Sequence, residues 1–169
     1  MKKLLGIFTV ILILTASCTK DELRSSLDES YGSWKDFKKA KNNSYSYTAT
    51  TVSWTGFSTE TKIVVKDGLV KERIYNRYNT NSWTGPKTLE TSWKEDASSL
   101  NSHSEGAEIL TLDQVYEKAK NIWLKADKDK NEIYFEEKNN GMISTCGYVP
   151  KDCMDDCFIG IKISEISAL

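Results

Sequence analysis

Apolar positions in this chain change period several times, and each change marks an element. The first stretch has no period at all: Leu4 to Leu14 is hydrophobic apart from Gly6 and Thr9. Lys2 and Lys3 precede it, and the small residues Thr15, Ala16 and Ser17 follow. A basic start, an apolar centre and a small-residue end are the three parts of a secretory signal, here residues 1–17. The run is well short of the about 20 apolar residues that cross a bilayer, so it reads as a removable signal rather than a permanent anchor.

Thr19 to about Ser30 is polar and aperiodic, which predicts a tether over residues 18–30. Tyr31, Trp34, Phe37 and Lys41 then recur at helical spacing, and Ser33 with Asp36 has the logic of a capping box. A short first helix is expected, ending near Lys41-Asn42-Asn43. Strand chemistry follows. Ser44 to Trp54 is rich in Tyr, Thr and Val, and Thr59–Lys66 and Leu69–Tyr78 flank Asp67-Gly68. Asp-Gly between β-rich runs signals a type I′ hairpin, which needs positive φ at both central residues. Gly85-Pro86 marks a further turn and Thr88–Trp93 a further strand, followed by a Ser- and Asn-rich loop from Ala97 to Glu108.

Thr111 to Ala126 carries the clearest helical period. Leu112, Val115, Tyr116, Ala119, Ile122, Trp123 and Ala126 share one face. Thr111 and Gln114 form a capping box, Leu110 and Val115 a hydrophobic staple, and Asp113 suits the first turn. Strands return at Glu132–Lys138 and Met142–Tyr148, around Asn139-Asn140-Gly141, and at Phe158–Ile166. The expected fold is α+β: an antiparallel sheet built of hairpins with two helices packed on one face, in a single domain over residues 31–169.

Composition narrows the functional classes. The chain has 169 residues, 39% of them hydrophobic and 28% charged, which suits one globular domain. The formal charge is −1, and it falls by two more units once Lys2 and Lys3 leave with the signal. There is no basic footprint for nucleic acid. One histidine excludes a multi-histidine metal site.

Thr15-Ala16-Ser17-Cys18 resembles the bacterial lipobox, with Thr15 where leucine is more usual. The resemblance implies that Cys18 is acylated, carries palmitate-type chains and becomes the mature N-terminus. Lys20-Asp21-Glu22 looks like the surface-export signal of Bacteroidota lipoproteins. The implied address is the cell envelope, as an outer-membrane lipoprotein held to the membrane through lipid at Cys18. Further pieces resemble a bacterial family of small secreted and lipid-anchored domains of unknown function. These are Tyr45-Ser46-Tyr47 after a helix, Val64–Gly68, the Thr111–Tyr116 helix start, Ile133–Glu136, and Asp155-Asp156 before the last strand. The family brings an α+β domain and no activity. This chain departs from it by lacking paired cysteines after the first Tyr-rich strand.

Cys146, Cys153 and Cys157 remain in the body of the chain. An oxidising compartment predicts one disulfide among these three, with Cys146 the preferred member, and one odd thiol. Their Cys-x6-Cys-x3-Cys spacing does not repeat the short knuckles of structural zinc sites. Asp152, Asp155 and Asp156 meet no calcium-loop template and read as a solvated acidic loop. Asp127 to Asn131 imitates the start of an EF-hand, but Glu132 stands where glycine is needed and Lys138 where the bidentate glutamate should be.

Enzyme signals are sparse. His103 is flanked by Ser102 and Ser104, but neighbours in sequence do not make a base–nucleophile geometry, so a solvated loop histidine is expected. No phosphate loop or dinucleotide fingerprint is present. No cofactor is implied. Aromatics make up 11% of the chain. Trp54, Phe57, Tyr75, Tyr78, Trp83 and Trp93 cluster in the middle strands, while Trp34 and Trp123 sit on helical apolar faces and read as core. Trp54 and Trp83, beside turn glycines, are the candidate ligand-facing aromatics, suited to a protein or glycan partner. The reading is a non-catalytic binding or interaction module. The alternative is a small secreted hydrolase or metal-binding domain with an unrecognised site.

Overall fold

The computed structural model describes residues 20–80 and 86–169. It is an α+β fold with seven antiparallel strands and two helices, as the patterning predicts. Helix α1 covers Lys20–Ala40 and is followed by β1 (Tyr45–Val52), β2 (Phe57–Lys66), β3 (Leu69–Thr80) and β4 (Lys87–Glu95). Helix α2 covers Leu112–Asn121, and β5 (Asn131–Glu136), β6 (Thr145–Pro150) and β7 (Ile159–Ala168) close the chain. The strand order is β4-β3-β2-β1-β7-β6-β5. Two meanders therefore share one sheet, joined where the last strand returns beside the first.

Both hairpin turns form as their residues demand. Asp67 and Gly68 have φ of 51° and 77°, and Asn140 and Gly141 have 53° and 81°. These are the paired positive values that bring a right-twisted hairpin round. The β6–β7 pair needs glycine for another reason. Gly147 and Gly160 lie directly opposite each other, and a Cβ on Gly147 would stand 2.8 Å from the Gly160 Cα. Side chains would push these backbones apart. Strand β7 divides its pairing: Ile159–Lys162 bonds to β6, and Ile163–Ala168 to β1, with a register shift between Thr48 and Ala49.

Two expectations change. The tether is helical: α1 begins at Lys20, and Leu27 and Ser30 are buried with Trp34. The stripe was hidden because one of its core positions is a serine. Ser30 is admitted to the core because Tyr116 Oη lies 2.9 Å from its Oγ and donates to its carbonyl at 3.0 Å. The second correction concerns the later helix, which stops at Asn121 and passes into a 3₁₀ turn over Trp123–Lys125. The tighter turn changes the phase, so Trp123 stays buried while Ile122 is 53% exposed.

The core lies between the helices and one face of β1, β2, β6 and β7. Trp34 packs edge-on against Tyr45 at 4.8 Å, and both are fully buried. The Leu112 amide at the start of α2 donates to Tyr45 Oη at 2.8 Å, and Tyr47 Oη donates to the Leu110 carbonyl at 2.7 Å. The Thr111–Gln114 capping box is present. Asp113 receives Trp34 Nε1 at 3.0 Å and Lys38 Nζ at 2.8 Å, tying the two helices together.

Further along the same sheet face sits a buried ion pair. Arg73 on β3 donates twice to Glu95 on β4, from Nε and Nη2, both at 2.8 Å. Glu95 also accepts the backbone amides of Asn101 and His103 at 2.9 and 2.8 Å. One carboxylate thus folds the 96–110 loop back over the sheet. The Arg73 guanidinium, with these amides, holds its carboxyl well below the usual carboxylate range against the opposing effect of burial. Such a group stabilises the fold above its unfolded pKa and loses that contribution as pH falls toward its folded value. Glu95→Ala should lower the unfolding free energy by about 3–5 kcal/mol in urea titrations at pH 7, because it strands a buried guanidinium. The deficit should shrink as pH is lowered below about 4.3, the unfolded glutamate value. A neutral effect at pH 7 would show that the pair does not carry the loop.

Candidate functional site

The helices cover only one end of the sheet face. Burial fades along β1: Tyr45, Ser46, Tyr47 and Ala49 are buried, and Thr51 and Val52 are exposed. The uncovered end holds two adjoining clefts of about 340 and 500 Å³. The first lies between β1, β2, the Gly106–Leu110 segment, Trp123 and the start of β7. Small residues open it, since Ala49, Gly106, Ala107 and Gly160 line it, and Tyr75, Trp123 and Phe158 add aromatic surface. Threonine hydroxyls face the same region. Thr51 and Thr59 bond to each other at 2.7 Å, and Thr61 Oγ1 accepts the Ala107 amide at 3.0 Å.

The second cleft lies between the β1–β2 turn and the loop from Lys151 to Phe158. Thr50, Thr51, Phe158 and Lys162 line both clefts, so the two adjoin; by alternation Val52 and Lys162 point to the sheet face opposite Tyr47, Ala49 and Ile161. Lys162 Nζ stands 4.9 Å from the centre of the Phe158 ring. Asp156 joins the two loops: it accepts Ser53 Oγ at 2.6 Å and the Trp54 amide at 3.4 Å. Three large apolar side chains stand out at this end: Val52 is 66% exposed, Trp54 58% and Met154 92%.

Trp54, a sequence candidate, is therefore at the open end. Trp83 and Cys18 lie outside the described residues. Trp34 and Trp123 are core. Tyr75 is buried, and its ring stacks on Trp93 at 5.0 Å. The cysteine pairing differs from the preference for Cys146. Cys153 and Cys157 lie at disulfide distance, with Cα atoms 6.2 Å apart, and Cys146 is buried and apart from both. Cys146 faces the core from β6 beside the Gly147–Gly160 contact, too enclosed to meet a cysteine on the exposed loop. Burial pushes its thiol pKa up to about 12.

His103 is more constrained than a solvated loop residue. Its ring lies flat on Trp93, with centroids 4.2 Å apart and planes 5° apart. Its Nδ1 is 3.1 Å from Glu95 Oε1 and 3.3 Å from Ser102 Oγ. Acid and hydroxyl meet the same ring nitrogen, whereas a nucleophilic triad needs the hydroxyl on the opposite one. Glu95 is consumed by Arg73 and the loop amides. The cluster is structural, and sequence reading missed it. Its signal was present: Arg73 and Glu95 occupy the same alternation face as Tyr75 and Trp93, two residues away on neighbouring strands.

Among the described residues, no group of three or more His, Cys, Asp or Glu side chains is placed to hold a metal ion. The two clefts offer apolar contact surface, threonine hydroxyls and acidic side chains. Alkylation in denaturant without reductant should modify Cys146 and leave Cys153 and Cys157 as one linked peptide. In native protein Cys146 should resist the reagent, as its raised pKa and burial require. A Cys146-containing linked peptide would overturn this assignment. No family model, curated protein or solved structure matches this chain.

Proposed function

We propose that this chain is a lipid-anchored protein of the bacterial cell envelope whose single domain is a non-catalytic binding module. The address rests on the signal pattern of residues 1–17 and on the lipobox-like Thr15–Cys18. The outer membrane, with exposure at the cell surface, is the proposed location, from Lys20-Asp21-Glu22 after Cys18. No described helix is long and apolar enough to cross a membrane. In this reading the lipid at Cys18 supplies the membrane attachment, and more than one acyl chain makes it stable.

One observation carries the binding role. The end of the sheet beyond the helices carries two adjoining clefts, the second flanked by exposed Val52, Trp54 and Met154. Exposed apolar side chains grouped beside a cleft are the surface feature that marks an interaction site. Tryptophan and methionine are also residue types that give contact area without demanding one fixed geometry. The partner is a protein segment or a glycan, and nucleic acid is excluded by the charge.

Two measurements test this reading. Cells fed labelled palmitate should transfer label to the wild-type chain, and Cys18→Ala should abolish the label and release the chain from membranes. Label persisting in the variant would remove the anchor. In iodide quenching, Trp54→Phe should lower the accessible fraction of tryptophan emission, and Trp34→Phe should leave it unchanged. Equal accessibility of the two sites would remove the exposed platform.

A further inference from the structure

We infer that the depression between the β1–β2 turn and the disulfide loop takes a cationic peptide segment, one apolar anchor residue flanked by lysine or arginine. This rests on the binding-module reading and names the partner class for that same site.

Four observations lead to it. First, the walls are apolar and sulfur-rich. Val52, Met154, Phe158 and the Cys153–Cys157 disulfide line the cleft, which suits an aliphatic or aromatic anchor better than a sugar ring edged with hydroxyls. Second, the rim is acidic and unsatisfied. Asp155 lines the cleft and Asp152 lies three residues before it in the loop; among the described residues neither side chain has a hydrogen-bond or ion-pair partner, while Asp156, also in the lining, is spent on the β1–β2 turn. Third, the basic neighbour in the loop is turned elsewhere. Lys151 Nζ donates to the carbonyls of Lys128 and Asp129, at 2.8 and 3.2 Å, and so leaves the rim charge standing. Lys162 lies at the inner end, over Phe158, where the two clefts meet. Fourth, the loop is held in shape before any partner arrives. The disulfide closes it, and Asp156 ties it to Ser53 and Trp54. A held loop loses less conformational freedom on binding.

The pattern is an apolar floor with a negative outer rim, and its complement is an apolar residue beside positive charge. The rim carboxylates speed encounter and select sign, and the apolar contacts hold the complex. Affinity should therefore fall with added salt without vanishing.

The test uses the full chain, isotope-labelled, with three probes: a short peptide with Leu-Trp between arginines and lysines, the same peptide with glutamates for its basic residues, and a panel of immobilised glycans. The basic peptide should bind and shift the Trp54 indole and Met154 methyl signals. Its affinity should fall about tenfold in the D152N/D155N double variant and by a similar factor in Met154→Ser. Reduction of the disulfide should weaken it as well. None of these variants removes a hydrogen bond that folds the loop, so each should retain the wild-type amide spectrum elsewhere. Equal binding of the acidic peptide, or glycan binding that shifts the same signals, would overturn the cationic-peptide assignment and leave the binding module standing. Probes that bind nowhere, with Trp54 and Met154 signals unmoved, would overturn both.

Discussion

A tyrosine placed in a core brings a hydroxyl that must be satisfied there, and Tyr45 and Tyr47 impose that constraint on the whole domain. They sit two residues apart on β1, on the same face. One hydroxyl takes the first amide of α2, and the other donates to the Leu110 carbonyl just before it. The start of α2 is thereby fixed over one end of the sheet. Trp34 packs on Tyr45 and reaches Asp113, so α1 follows α2 to the same place. Burial pushes both phenol pKa values well up, with Asp113 adding to the effect at Tyr45 and Tyr45 itself to that at Tyr47. The phenols therefore stay neutral, as donors and acceptors, throughout the physiological range.

The other end of that face is organised differently. Arg73 and Glu95 replace a helix with a loop, because a carboxylate can gather amides that a hydrocarbon cannot. The 96–110 segment is drawn down over Tyr75 and Trp93, with His103 stacked on Trp93 as its outer layer. Neither the helices nor this loop covers the end of β1 at Thr51, which stays exposed, and Val52 points to the other face of the sheet. The first cleft is thus a consequence of where two polar anchors were placed, with Gly160 in its lining. An ion pair of this kind is not strong evidence for net stability, since a well-packed apolar pair can do as well. Its value here is positional: it decides which residues the loop covers.

Much of this was legible in the chain. Alternation and Asp-Gly or Asn-Gly turns marked the strands, and the Thr111–Gln114 box marked the later helix to the residue. These signals are local, and local chemistry decides them. The front of α1 was not legible because Ser30 is a core residue only in the company of Tyr116, 86 positions away. The end of α2 was missed because the period of Ile122 and Trp123 fits both an α-helix and a 3₁₀ turn. The cysteine preference failed for a related reason. Three cysteines close in sequence say nothing about which one faces the core, and Cys146 does. Of the site, Trp54 was visible as an aromatic beside a turn glycine. Met154 and the carboxylates acquired meaning only when Asp156 brought their loop to the β1–β2 turn.

The central claim is that buried tyrosine anchors confine the helices to one end of the sheet and leave the other end bare. Hydroxyl-radical footprinting of the purified full chain, read by mass spectrometry, tests it most directly. Met154 and Trp54 should be oxidised rapidly, while Met142, Trp34, Tyr45 and Tyr47 should be protected in the same sample. Comparable oxidation of the two methionines, or protection of Trp54 to the level of Trp34, would contradict it.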